Sequence, residues 1–94
     1  MGTLKFRDSA DLYHYLIELA SKFETSGRTV AAAKLKRTSL FVHGTPQTDF
    51  LGESLLVLRS LSGQSKDVLS ERETRKMLAV IEQLEEAFRN PSGA

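Results

Sequence analysis

The chain has 94 residues, of which 40% are hydrophobic and 27% are charged, and its formal net charge is +1. These values are typical of one folded domain, and they argue against a disordered chain or a strongly basic, dedicated nucleic-acid binder. The absence of cysteine excludes a disulfide framework, a thiolate nucleophile and a cysteine-ligated zinc site.

The first predicted helix spans about residues 10–25. Asp8 or Ser9 can accept hydrogen bonds from its first N–H groups, and Gly27 can close its other end in the left-handed conformation. At about 100° per residue its apolar residues share one face, which predicts a surface helix with one buried side. That face consists of Leu12, Tyr13, Leu16, Leu19, Ala20 and Phe23.

The second predicted helix, about residues 30–43, has two apolar sides. Thr29 is expected as its N-cap, and Gly44 as the residue that ends it. One side carries small residues suited to close packing, namely Ala31, Ala32, Leu35, Thr38, Ser39 and Val42. The opposite side carries Val30, Ala33, Leu40 and Phe41, with Arg37 among them. Either the bundle is irregular and this helix is central, or its second side meets another molecule.

The third predicted helix, about residues 46–62, follows a very short turn, which predicts an antiparallel hairpin with the second. Thr45 is expected to cap it, and Pro46 suits the first helical position. Gly52 interrupts the helix and leaves two interpretations open, close approach of another helix or a tolerated weak helix former. A wide apolar face predicts burial against more than one neighbour. It comprises Phe50, Leu51, Leu55, Val57, Leu58 and Leu61, with Leu56 as an outlier.

The fourth predicted helix, about residues 71–89, begins at a capping box, because Ser70 and Glu73 have the spacing for reciprocal side-chain to backbone hydrogen bonds. The loop before it is polar, and we expect its Val68 and Leu69 to tuck inward. The core stripe of this helix is Met77, Val80, Ile81, Leu84, Ala87 and Phe88.

Together these elements predict an all-α fold, a small antiparallel bundle of four helices in a single domain over residues 1–94. A three-helix core with one peripheral helix is the alternative. We expect residues 1–8 to form an extended arm whose Leu4 and Phe6 cover one end of the bundle. Residues 90–94 are expected to be a frayed tail.

One basic cluster stands out as a possible contact for an anionic partner. It consists of Arg28, Lys34, Lys36 and Arg37. Nucleic-acid or acidic-ligand binding is therefore an alternative function. The third predicted helix argues against a major-groove reader, because its polar side carries Asp49 and Glu53 and offers only Arg59 as a base-contact donor.

Asp11, His14 and Glu18 have a spacing that can hold a metal or support acid–base chemistry. Their side of the helix is polar and lacks an enclosing pocket, so an ordinary solvated face is the expectation. We expect Tyr13 to point into the core and Tyr15 to lie at its margin. No phosphate-binding loop, nucleophile elbow or zinc-protease motif is present, so we expect no catalytic residue, metal or cofactor.

The sequence thus predicts a non-enzymatic helical interaction module. We expect it to self-associate as a homodimer, or to dock on another protein, through the second predicted helix and part of the third. The predicted interface residues are Val30, Ala33, Arg37, Leu40 and Phe41. No apolar run reaches the roughly 18 residues of a membrane span, and no secretory signal is evident, so a cytoplasmic protein with no membrane partner is expected.

Overall fold

The computed structural model describes residues 9–44, 47–63 and 65–89. Within these residues there are helices and no strand, which confirms the predicted all-α fold. The elements are α1 (Ser9–Thr25), α2 (Thr29–Ser39), the single-turn α3 (Phe41–Gly44), α4 (Gln47–Ser62), a 3₁₀ turn (Ser65–Asp67) and α5 (Glu71–Arg89). None of these helices is long and apolar enough to cross a membrane.

Several predictions fall outside the described residues. The N-terminal arm over residues 1–8, with Leu4 and Phe6, is one of them, as is the tail over residues 90–94. The cap and proline predicted at Thr45 and Pro46 also lie outside the described residues.

In the packing order, α2 contacts both α1 and α4, and α4 contacts both α2 and α5, so these two helices occupy the middle of the bundle. The small-residue side predicted for α2 is the buried one, and Ala31, Ala32, Leu35, Thr38 and Ser39 are its enclosed members. Small side chains let neighbouring helices approach closely, which suits a helix with a neighbour on each flank. A single hydrophobic cluster drawn from α1, α2, α4 and α5 forms the core.

A break at Leu40 divides the single helix that the sequence predicted over residues 30–43. The Leu40 N–H donates to the carbonyl of Arg37, three residues back, at 3.2 Å, and the Ser39 hydroxyl donates to the carbonyl of Lys36 at 2.7 Å. Serine hydroxyls that bond nearby carbonyls compete with the regular helical pattern. The predicted second helix is therefore interrupted at Leu40 by one tightened turn, and α2 and α3 together cover its predicted residues.

The turn between α1 and α2 follows the predicted glycine but not the predicted cap. Gly27 has φ +84°, the Arg28 N–H reaches the carbonyl of Phe23 at 2.8 Å, and the Gly27 N–H reaches that of Glu24 at 3.0 Å. This pair of bonds is the Schellman motif, which confirms Gly27 as the end of α1. Thr29 is already the first residue of α2, and Arg28 before it makes no side-chain capping bond, so the Thr29 N-cap was wrong.

The capping box at the start of α5 is confirmed. The Ser70 N–H donates to the Glu73 carboxylate at 2.8 Å, and the Glu73 N–H donates to the Ser70 hydroxyl at 3.2 Å. Just before it, Leu69 is buried and Val68 packs against the core, as predicted. These contacts fix the direction in which α5 leaves the loop.

Gly52 in α4 lies under an aromatic ring of α5. A Cβ at this position would be 3.6 Å from Cζ of Phe88, which is ordinary van der Waals contact. The neighbouring helix does approach here, but at a distance that also has room for alanine.

Candidate functional site

The outer surfaces of α2 and α4 form one continuous face. Shallow grooves of about 370, 310 and 580 Å³ follow the line between the two helices and on toward α5. We call this surface the α2/α4 face and define it by its exposed side chains. They are Val30, Lys34 and Arg37 of α2, and Asp49, Glu53, Leu56 and Ser60 of α4, whereas the exposed Ala33 and Leu40 line none of these three grooves.

The grooves fix how the two helices are aligned. Lys34 shares a groove with Ser60, near the end of α4, whereas Phe41 shares one with Asp49, near its start. Arg37 lies between these two levels, in the groove that Glu53 also lines. The helices therefore run in opposite directions, as the short connection predicted.

Two aliphatic side chains of this face, Val30 and Leu56, are largely exposed to solvent, and so is Leu40 at the end of α2. Val30 is 70% exposed, Leu40 62% and Leu56 59%. The exposure of Val30 and Leu40 agrees with the second apolar side expected for the helix. Phe41, which belongs to the same predicted side, is half-buried and packs partly against the core. Exposed apolar residues that are surrounded by a rim of polar residues are typical of interaction surfaces.

The charges of the face are sorted by helix. Lys34 and Arg37 are exposed on α2, and Asp49 and Glu53 are exposed on α4. In the part of the chain that the structure describes, none of these four makes an ion pair. Elsewhere ion pairs do form, between Lys22 and Glu73, Arg28 and Asp67, Lys36 and Glu24, Arg59 and Glu85, and Arg75 and Glu71.

The predicted basic cluster is split by these pairs. Lys36 bonds Glu24 of α1 at 3.0 Å, and Arg28 bonds Asp67 of the 3₁₀ turn at 3.3 Å. Only Lys34 and Arg37 remain together, and they share a groove with Glu53. The structure therefore does not assemble the four residues into one uniformly basic patch.

A second groove, of about 280 Å³, lies between α1 and α5. Tyr15 and Leu19 line it together with charged residues, and Lys22 of α1 pairs across it with Glu73 of α5. We call it the α1/α5 groove. The hydrogen bond from Lys22 holds the pKa of the Glu73 carboxyl below its usual value, and the same bond raises the pKa of Lys22.

Tyr15 is the buried tyrosine of the pair, 8% exposed, whereas Tyr13 is half-buried with its ring edge-on to His14 and His43. Tyr13 therefore packs against the core as expected, although it is only partly buried, whereas the expectation that Tyr15 lies at the margin was wrong. The Tyr15 hydroxyl is buried and has no hydrogen-bond partner among the described residues, and Nζ of Lys76 lies 5.2 Å from the ring centroid. Burial, first, and then the nearby carboxylates raise the pKa of this phenol.

The Asp11, His14 and Glu18 face does not form a metal centre. His14 and Glu18 are exposed and Asp11 is half-buried. Among the described residues, no three histidine, aspartate or glutamate side chains are grouped so that they could hold a metal ion.

Sequence reasoning missed part of the candidate site. Leu56 and the acidic pair Asp49 and Glu53 belong to the same face as the predicted interface residues. The available signal was the outlying position of Leu56 on the helical wheel, which placed a large aliphatic residue on the polar side.

No family model, curated protein sequence or solved structure matches this chain. The function is therefore argued from the chemistry of its surfaces.

Proposed function

We propose that this protein is a non-enzymatic interaction module that binds a protein surface with its α2/α4 face. The observation that carries the proposal is that one face combines two largely exposed aliphatic side chains, Val30 and Leu56, with four exposed charges that have no ion-pair partner among the described residues. Its cysteine-free composition suits a reducing compartment, and we place it in the cytoplasm.

Binding would be driven by the aliphatic residues and directed by the charges. Complete burial of a leucine side chain contributes about 1.5–3 kcal/mol. Most of the surface of Leu40 and Leu56 is still exposed, so a partner could bury it. Association must first offset the loss of translational and rotational freedom, so this face suits a moderate affinity. Lys34, Arg37 and Glu53 lie at the rim of the apolar area, where charges set orientation and association rate.

Nucleic-acid binding through the basic cluster has less support. Lys36 and Arg28 are engaged by carboxylates, and Asp49 and Glu53 lie on the same face as the two remaining cations. A phosphate backbone that approaches Lys34 and Arg37 would meet these carboxylates at close range. A titration at low salt with single- and double-stranded oligonucleotides, which we expect to leave the protein unbound, tests this alternative.

The test of the proposed function places a photo-crosslinking amino acid at position 56 in one variant and at position 78 in another. Leu78 is a matched control, since it is 52% exposed but lies on α5, away from the line between α2 and α4. We expect illumination in the expressing cells to join position 56 to a protein, either another copy of this chain or a different one. Equal yields at the two positions, or none at position 56, would contradict the proposal.

A further inference from the structure

We propose that the partner of the α2/α4 face is one amphipathic α-helix of another protein, which lies along the line between α2 and α4 with an acidic edge over α2 and a basic edge over α4. This inference rests on the proposed function, and it goes further because it commits to one kind of occupant. Charge complementarity carries it, since the exposed cations and carboxylates of the face belong to different helices.

Each helix presents one stripe of side chains to the line between them. On α2 the stripe is Val30, Lys34 and Arg37. On α4 it is Asp49, Glu53, Leu56 and Ser60. Intervals of three and four residues keep side chains on one side of a helix, and both stripes line the same grooves. The α4 stripe extends over about 16 Å at about 1.5 Å per residue, which is close to three helical turns.

Apolar side chains lie at three successive levels along this line. Val30 lines the groove that includes Ser60, Leu56 lines the middle groove, and Phe41 and Phe88 line the groove at the other end. Val30 and Leu56 are largely exposed, and Phe88 is 39% exposed. A partner helix whose apolar residues recur every three or four positions would reach all three levels within about three turns.

The charges lie beside this apolar line, with one sign on each side. Lys34 and Arg37 belong to α2, and Asp49 and Glu53 belong to α4. A partner with two acidic edges would be repelled by the carboxylates of α4, and one with two basic edges by the cations of α2. A helix with one edge of each sign meets opposite charges on both sides. Turning such a helix end for end exchanges its edges, so the charges also set the direction in which it runs.

A single short helix should bind this face weakly. The grooves are shallow, and an isolated helix of a few turns is marginally stable in water, so binding must also order the partner. We expect a dissociation constant on the order of 100 µM for a short peptide. Added salt should raise it, because the charges of the face are exposed.

Three synthetic helical peptides test the inference on the whole protein. They have the same length and the same apolar stripe, and they differ only at the two edges of that stripe. The mixed peptide carries glutamate on one edge and lysine on the other, the acidic peptide carries glutamate on both, and the basic peptide carries lysine on both. By fluorescence anisotropy at about 0.1 M salt, we expect the wild type to bind the mixed peptide about fivefold more tightly than either of the others.

Charge reversal on one helix should change which peptide binds best. K34E/R37E makes the charges of the face acidic, so this variant should prefer the basic peptide. D49K/E53K makes them basic, so it should prefer the acidic peptide. Circular dichroism establishes that each variant is folded. Reversal of these exposed charges should leave the fold intact, because none of the four residues makes an ion pair among the described residues.

Two control variants separate the face from the rest of the surface. E82K/E86K changes the net charge as much as D49K/E53K does, but its glutamates are exposed on α5 and line none of the three grooves. It should keep the preference for the mixed peptide. L56D should weaken binding of the mixed peptide about tenfold, whereas L78D, at an exposed leucine of α5, should leave it unchanged.

The outcomes separate this inference from the proposed function. Equal affinity of the wild type for the three peptides, or no binding of any at millimolar concentration, would overturn the inference. A wild type that dimerises and thereby excludes the mixed peptide would overturn it too, because a second copy would then occupy the face. The segment that is photo-crosslinked to position 56, once identified by mass spectrometry, should have an apolar stripe between one acidic and one basic edge. A crosslink to a segment without that pattern overturns the inference and leaves the proposed function standing.

Discussion

The α1/α5 groove and the α2/α4 face are both formed by two helices and both carry charges, but the chain treats them in opposite ways. In the groove, Lys22 pairs with Glu73 and the large ring of Tyr15 is enclosed. On the face, Lys34 and Arg37 are not within ion-pair distance of Asp49 or Glu53, and the side chain of Leu56 is mostly exposed to solvent. In the α1/α5 groove, folding of the chain already pairs Lys22 with Glu73 and covers the apolar side chains. On the α2/α4 face, charges and apolar side chains remain available to another molecule.

The largest expected effect belongs to the groove. Tyr15→Ala should lower the free energy of unfolding by about 3 kcal/mol or more, because it removes a buried aromatic ring and leaves a cavity. Tyr15→Phe keeps the ring and removes the unpaired hydroxyl, so it should leave stability unchanged or raise it by about 1 kcal/mol. Chemical denaturation measures both. Tyr13→Ala, at a half-buried ring, is the matched control and should cost less. A greater loss of unfolding free energy in Tyr13→Ala than in Tyr15→Ala would show that Tyr13, and not Tyr15, is the more buried ring.

Gly52→Ala should raise the free energy of unfolding by up to about 1 kcal/mol. Alanine favours the helical conformation by that amount, and its methyl group would meet Phe88 at an ordinary contact distance. A thermal unfolding midpoint that rises by a few degrees is the expected readout. Gly27→Ala is the contrasting variant, since Gly27 has a positive φ, and it should lower the midpoint.

A smaller effect concerns the pH dependence of the groove. The pKa of Glu73 is lower in the folded protein than its ordinary value of 4.5, so the stability that this shift provides is present above about pH 4.5 and is lost as pH falls through the folded pKa. Glu73→Gln retains the capping geometry but not the charge. Its stability should fall less than that of the wild type between pH 5 and pH 3, as followed by urea denaturation at each pH. If the stability of the two proteins had the same pH dependence, the Lys22–Glu73 pair would not contribute to the stability of the fold.

The smallest effect on stability is expected on the face, and it is the most informative. Leu56→Asp should change the free energy of unfolding by no more than about 0.5 kcal/mol, because the side chain is already mostly in water. Leu58→Ala, two residues further along the same helix and fully buried, should cost about 2–5 kcal/mol. If Leu56→Asp destabilised the monomer as strongly as Leu58→Ala, the face would be part of the fold and the contrast with the groove would fail.

Local chemistry made much of the fold predictable. The left-handed Gly27, the reciprocal bonds of Ser70 and Glu73, and the buried small side of α2 each depend on residues within a few positions of one another. The break at Leu40 was harder to predict, because it depends on the balance between a serine hydroxyl and one helical hydrogen bond.

The misassigned features depend on distant parts of the chain. Tyr13 and Tyr15 flank the apolar stripe of α1 on opposite sides, and which side is covered depends on where α5 lies. In the same way, Lys36 is engaged because α1 offers Glu24. Periodicity gives the direction of a side chain around its own helix, but not the position of the neighbour that meets it.

The turn at Leu40 also separates two apolar side chains that differ in how much of their surface meets water. Phe41, directly after the turn, is half-buried and packs against the core, whereas Leu40 itself is 62% exposed. The aromatic ring is therefore partly covered, and an aliphatic side chain supplies the exposed apolar surface at this end of α2. A smaller exposed apolar area lowers the tendency of a protein surface to associate nonspecifically.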